Sequence, residues 1–312
     1  MDARLYDTAT DFGPVAHWVY RRDPVLFTGE LTAVRATRRV AGGVFLSVAD
    51  CDGAVGAALQ LPGEALLVSG LPSAMAKEAA REISKARAAL PVIRGTQATA
   101  TAFADAWCSV TGAQAMEEVA RTLYRLDDLV PPTGVPGTSR VAGPADAEFI
   151  IDGLDGFFID AFGATSDRSA RRGYLGDIRA DGGHVVLWSV DGAPVSMARV
   201  HAPAAGMCRI GPVFTPAASR GRGFGAAVTA AAVRHAHGRG RRHQSGGERH
   251  LPAAGVRACR RLPGVCARGL TPPLNYLTLC CGPCSFLYSA LSIRSRKKAL
   301  SMNLIPALAM RG

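Results

Sequence analysis

Gly211-Pro212-Val213-Phe214-Thr215-Pro216-Ala217-Ala218-Ser219-Arg220-Gly221-Arg222-Gly223-Phe224-Gly225 carries an apolar strand into a helix through alternating glycines. Met207 to Thr215 reads as the strand, and Gly223 to His237 as an Ala- and Val-rich helix stopped by Gly238. Glycines at such a turn let consecutive backbone N–H groups converge on one anion, and the helix start adds partial positive charge there. Arg220 and Arg222 supply further charge suited to a pyrophosphate. A glycine-rich helix start that only packs closely is the plain alternative. A dinucleotide-binding turn should open a βαβ unit with an acid about 20 residues on. Here no acid lies between Gly225 and Arg242. A Walker A loop is excluded, because no Gly-Lys-Ser/Thr follows.

Upstream, His184 to Val190 and Pro194 to His201 flank Asp191-Gly192, a strong hairpin signal. Pro144 to Phe162 is helical in pattern, with Asp152, Asp155 and Asp160 between its apolar positions. These carboxylates are candidates to meet a cationic amine, or form a solvated helix face. The order is then helix, three strands, glycine turn, helix. Val130-Pro131-Pro132-Thr133-Gly134-Val135-Pro136-Gly137 holds three prolines and two glycines and reads as a linker. Before it, residues 25–35, 43–49 and 53–60 and Ala65 to Val68 read as strands. Ala74 to Ala89 and Ala98 to Val110 read as helices around a strand at Pro91-Val92-Ile93. This first region is mixed α/β and holds no motif that carries chemistry.

The glycine turn and the strand before it resemble the acyl-CoA loop of the GCN5-related N-acetyltransferases (GNATs). The resemblance rests on Arg220-x-x-Gly223-x-Gly225 before an Ala-rich helix, and on Arg209-Ile210-Gly211-Pro212-Val213-Phe214-Thr215-Pro216. It is good from about Asp181 to His237 and looser over residues 25–137, where it is similar to a bacterial branch with an N-terminal lobe of its own. It implies an α/β (α+β) fold of tandem GNAT-like mixed sheets flanked by helices, with the second domain incomplete. Val213, Phe214 and Thr215 would offer backbone groups to the pantetheine arm of acetyl-CoA as an added strand does. The N–H groups of Gly221, Arg222, Gly223, Phe224 and Gly225 would hold the pyrophosphate beside Arg220. Catalysis would be chiefly positioning of an amine against the thioester. No general base or acid is identified.

After His237 the family pattern stops. A strand, an Asn-Pro-x-Ser/Ala-Asn-x-x-Tyr helix, a Gly-Phe/Tyr turn and a closing strand are expected, and the chain instead reads Gly-Arg-Gly-Arg-Arg-His-Gln-Ser. Permitted codons for His243 to Arg268, read one base later, spell TNPVANAIYQRLGFAPVEDFLVFAR, the missing helix, turn and strand in order. The expectation is a reading frame that shifts near residues 238–243 and removes the family's general-acid tyrosine.

Charge and cysteine follow the same division. The 312 residues carry a formal net charge of +11, with a pI near 9.7. Residues 237–312 hold thirteen of the 36 Lys/Arg and one of the 25 acids, Glu248, so the rest of the chain is close to neutral. A basic patch can mark a nucleic-acid partner, yet arginines confined to an out-of-frame tail need no partner, and none is expected. Cys51, Cys108 and Cys208 read as small buried residues of a reducing compartment. Met1 to Asp11 shows no secretory signal, so a cytoplasmic protein is expected. His235, His237 and His243 with Cys259 and Cys266 lack a zinc framework, and no metal is expected. Cys281-Gly282-Pro283-Cys284 has redox-pair spacing without a βαβ setting. Leu270 to Ile293 lacks charge, but Asn275, Gly282-Pro283 and several hydroxyl residues speak against a membrane span.

The expected organisation is a GNAT-like lobe over 1–137, an acetyl-CoA-binding domain over 138–242, and an aberrant basic, Cys-rich, disordered tail over 243–312. The expected activity is acetyl transfer from acetyl-CoA to a small-molecule or peptide amine. A CoA-binding remnant without activity is the first alternative. A basic nucleic-acid-binding protein is the second.

Overall fold

The computed structural model describes residues 1–36, 43–117, 121–126, 129–162, 168–242, 279–281 and 286–294. The chain divides into two compact units, Met1–Leu123 with Phe286–Gly312, and Tyr124–Ser285. The Pro/Gly stretch 130–137 therefore lies inside the second unit.

The first unit begins with β1 (Asp2–Leu5), α1 (Ala9–Tyr20), α2 (Thr28–Ala36), β2 (Val44–Ala49), β3 (Val55–Gln60) and β4 (Leu66–Leu67). It continues through α3 (Ala76–Ala86), β5 (Val92–Thr96), α4 (Gln97–Thr111), β6 (Gln114–Glu117) and β7 (Arg121–Leu126), whose second half belongs to the other unit. Strands β1 to β4 pair antiparallel in order, and β4 and β5 pair parallel. Ile83, Phe103 and Trp107 of α3 and α4 close the core against Leu46, Leu66 and Ile93 of the sheet.

Residues 25–35 are not a strand: α2 starts at Thr28. The Asp23 carboxylate accepts the N–H groups of Val25 and Leu26 at 3.1 and 3.0 Å and turns the chain into the helix. Helix α1 was not expected either. Thr8 caps it by accepting Asp11 N–H, and Pro14 lies inside the helix, past its first turn, where it offers no N–H to the carbonyl four residues back.

The second unit runs β8 (Thr138–Val141), α5 (Ala147–Phe162), α6 (Arg168–Ala180), β9 (His184–Val190), β10 (Ala193–Val200), β11 (Arg209–Phe214) and α7 (Phe224–Arg242). Strands β8, β9, β10 and β11 pair antiparallel in sequence. Asp191 and Gly192 both have positive φ, 50° and 81°, as a two-residue hairpin turn requires. The apolar face of α7 (Val228, Ala231, Ala232, Ala236) packs one side of the sheet against Val186, Ala198, Val200 and Ile210. On the other side α5 lies close because two of its residues lack a side chain. A Cβ on Gly153 would come 2.7 Å from Met197 Sδ, and one on Gly156 would come 2.3 Å from the Phe214 ring.

From the expected tail, β12 (Leu279–Cys281) and β13 (Phe286–Arg294) are described, and both are strands, so the expectation of disorder does not hold there. Cys280 and Leu279 of β12 pair with Arg209 and Ile210, and β13 pairs with β5, β6 and the first half of β7. The remaining stretches of 243–312 lie outside the described residues, among them His243, Cys259, Cys266, Gly282-Pro283-Cys284 and residues 270–278. Among the described residues no helix is long and apolar enough to cross a membrane, and no group of three or more His, Cys, Asp or Glu could hold a metal.

Candidate functional site

The site begins where β11 ends. Val213, Phe214 and Thr215 are buried, and β12 covers only the start of β11, at Arg209 and Ile210. No described strand pairs with Val213 to Thr215 on that edge. The strand end is held from the β10 side: Ser196, fully buried, donates or shares its hydroxyl with the Phe214 carbonyl (3.0 Å) and Thr215 Oγ1 (2.8 Å).

A short 3-10 turn, Ala217–Ser219, follows and ends in Arg220. Arg220, Gly221, Arg222 and Gly223 are exposed, and Phe224 then buries its ring as α7 begins. Gly221 and Gly223 have φ of +75° and +81°, conformations that a side chain strains. A Cβ on Gly223 would also come 3.0 Å from Val135 Cγ2, so the Pro/Gly stretch 130–137 backs the loop.

The first helical bond is Ala227 N–H to the Gly223 carbonyl. The N–H groups of Gly221 to Ala226 meet no acceptor among the described residues. Free N–H groups at a glycine-rich helix start suit an anion. The expected residues Val213, Phe214, Thr215, Arg220, Gly221, Arg222, Gly223, Phe224 and Gly225 are thus contiguous along one strand end and one loop. Such N–H groups can hold phosphate groups, while an edge that no described strand covers beyond Ile210 can accept an extended ligand as an added strand.

The two arginines differ. Arg222 carries no ion pair among the described residues and lies over the Phe224 ring, 4.8 Å from its centroid. Arg220 donates through Nε to the Thr215 carbonyl at 2.9 Å and through Nη2 to the Asp160 carboxylate of α5.

The α5 carboxylates proposed to meet an amine are engaged by arginines. Asp152 pairs with Arg168 at 2.5 Å, Asp155 with Arg171 at 3.1 Å, and Asp160 with Arg220. Glu148 pairs with Arg172 and Arg168, and their hydrogen bonds, Arg172 first, hold its carboxyl below the usual range. Sequence periodicity missed α6, the helix that supplies three of these arginines, because its buried apolar residues are only Leu175 and Ile178.

Two histidines on this sheet are buried. His201, 4% exposed, has Nε2 2.9 Å from the Gly211 carbonyl. Burial pushes its pKa well below the ordinary value, and Arg209 and Arg199 push it further. It is therefore neutral at pH 7 with Nε2–H as donor. His184 is 8% exposed and stacks edge-on with His235. Arg199, also buried, meets Tyr174 Oη and lies 3.8 Å from Asp181. Cys208 is buried, as expected, whereas Cys51 is exposed in the Asp52-Gly53 turn.

A mixed sheet with two helices on one side, a third helix on the other, and an uncapped glycine loop leading into that third helix defines the architecture of this unit. Neither a protein-family model nor a curated protein sequence matches the chain. Among solved structures, a Drosophila protein aligns over 93% of this chain and 98% of its own, at 10% identity and a TM-score of 0.50. A GCN5-related N-acetyltransferase from Kribbella flavida aligns over 84% of this chain and 95% of its own, at 18% identity and 0.45. A tandem GNAT protein from the clavulanic acid biosynthesis pathway aligns over 77% and 86%, at 13% identity and 0.44. At such identities the likeness concerns the fold alone and assigns no activity to this chain.

Proposed function

We propose that this chain is an acetyl-CoA-dependent N-acetyltransferase acting in the cytoplasm on a small-molecule or peptide amine. The observation that carries the reading is the run of N–H groups from Gly221 to Ala226 that meet no acceptor among the described residues, following a strand whose edge no described strand covers at Val213 to Thr215. The loop would hold the pyrophosphate by backbone donors with the helix start behind them, and Arg220 and Arg222 would flank it. Val213, Phe214 and Thr215 would line the pantetheine arm. Ser196 keeps the strand end rigid, so the ligand meets a preorganised edge.

Acetyl transfer joins the amine nitrogen to the acetyl carbon and breaks the carbon–sulfur bond; the amine gives up a proton and the thiolate takes one. In this reading residues 124–242, with the Pro/Gly stretch, form the acetyl-CoA-binding domain, the residues before them a lobe of the same kind, and most of 243–312 an out-of-frame translation. The general-acid tyrosine expected after α7 is then missing from the chain.

That loss favours a second reading, a protein that binds acetyl-CoA without turning it over. Titration calorimetry with acetyl-CoA tests the site, with binding expected for the wild type. Thiol release with a panel of primary amines then separates the two readings: turnover supports the enzyme, and binding without turnover supports the remnant. Sequencing the gene across codons 230–275 tests the frame. A shifted translation that lacks the Asn-Pro…Tyr string refutes the shift.

A further inference from the structure

We infer that Arg220 is a positioning residue that ties α5 to the end of β11 through Asp160, and that Arg222 alone supplies the side-chain charge for the anion. The inference rests on the acetyl-CoA reading and assigns different work to two arginines that the sequence presents alike.

Both donors on one side of the Arg220 guanidinium are committed. Nε donates to the Thr215 carbonyl at 2.9 Å, and Nη2 donates to Asp160. The guanidinium carbon lies 5.6 Å from the Phe214 ring centroid, so the side chain folds back along β11. Its backbone N–H is also used, donating to the Ala217 carbonyl at 3.2 Å. The open donors of the loop therefore start one residue later, at Gly221.

A guanidinium bound to a carboxylate presents a nearly neutral pair to an approaching anion, whereas a planar, forked donor suits it to joining two acceptors. Asp160 stands in the last turn of α5, the helix that Gly153 and Gly156 bring close to the sheet. Arg220 thus fixes the angle at which the strand end enters the glycine loop. Arg222 is exposed, has no carboxylate partner among the described residues, and rests on the ring of the residue that opens α7.

The two roles predict opposite signs for one substitution. Asp160→Asn removes a negative charge near the bound anion and frees Arg220. If Arg220 touched the anion, affinity would rise or stay level. If Arg220 positions the loop, affinity falls.

The test is titration calorimetry of the full chain with acetyl-CoA at several KCl concentrations. Asp160→Asn and Arg220→Gln are each expected to weaken binding roughly tenfold, and the double variant no further. Each single variant shifts the local charge by one unit, so the salt dependence is read on the double variant, which restores the charge balance and is expected to match the wild type. Arg222→Gln weakens binding roughly fivefold and flattens the salt dependence. A purely structural role would lower the melting temperature and leave the dissociation constant of the folded protein at the wild-type value. Wild-type or tighter binding by Asp160→Asn overturns the inference, as does a flattened salt dependence in the double variant. Should Arg220→Gln fail to fold, Asp160→Asn at its partly exposed site decides alone. If the wild type binds no acetyl-CoA, the functional reading falls together with this one; if it binds and Asp160→Asn is silent, only this one falls.

Discussion

In the first unit a strand, two helices, three antiparallel strands and a helix follow one another as β1, α1, α2, β2, β3, β4 and α3. In the second the same order runs β8, α5, α6, β9, β10, β11 and α7. The turn from the last of these strands into the helix is where they part. In the first unit it reads Val68-Ser69-Gly70-Leu71-Pro72-Ser73, with no basic residue, and Val68 to Leu71 are buried. Leu71 and Met75 pack into the core there. In the second, Arg220 to Gly223 are exposed, two glycines take positive φ, and the donors that follow are uncapped. One order of elements serves equally for a turn closed by hydrophobic burial and for a turn left open to an anion. The difference lies in side chains, since glycine and arginine leave backbone donors accessible where leucine and methionine cover them.

Four measurements can break or sharpen that contrast. Leu71→Ala should cost about 3 kcal/mol of stability in urea unfolding of the first unit and leave acetyl-CoA affinity unchanged. A loss of affinity would mean that the closed turn takes part in binding.

Gly223→Glu should weaken acetyl-CoA binding by at least roughly a hundredfold in calorimetry, because it strains a positive-φ position and sets a carboxylate against an anion. Retained affinity would refute this loop as the anion's site.

Asp146→Ala should cost about 2 kcal/mol, since the Asp146 carboxylate is buried, takes a forked pair from Arg140 at 2.6 and 2.7 Å and accepts Gly143 N–H at 2.7 Å. The Arg140 hydrogen bonds, and less so the Gly143 bond, hold its carboxyl below the usual range. Its contribution is therefore present above about pH 4 and lost as pH falls through the lowered folded-state value. Thermal melts of wild type and variant should converge on acidification. A gap that persists at low pH would mean that charge is not the cause.

Ser196→Ala should cost about 1 kcal/mol and weaken acetyl-CoA binding roughly threefold by loosening the end of β11. An unchanged dissociation constant would mean that the strand end needs no clamp from β10.

Much of the second unit was legible along the chain. Asp191-Gly192 marked a hairpin whose strands are His184–Val190 and Ala193–Val200. The glycine turn and the start of the helix after it also fall where the pattern put them, with α7 from Phe224, but Gly238 does not stop the helix, which runs on to Arg242. Helix α2 was misread as a strand because Val25, Phe27 and Leu31 are spaced ambiguously, and Asp23, outside that window, turns the chain. Helix α6 left little apolar period to detect, since its charged residues bind α5. The cluster at Arg199, Tyr174 and Asp181 had no sequence signal, because it joins a strand, a helix and a loop.

By itself the sequence determined much of the alternation of elements and the place of the glycine turn. Backbone preference, apolar period and the absence of side chains at Gly221 and Gly223 are properties of neighbours in the chain. Tertiary structure alone decided that the α5 carboxylates face arginines rather than an amine. It also decided that Arg220 and Arg222, two residues apart, differ: Asp160 reaches one of them from 60 residues away. Pairing of opposite charges depends on distance in space, and only packing of α5 and α6 on the sheet brings those charges together.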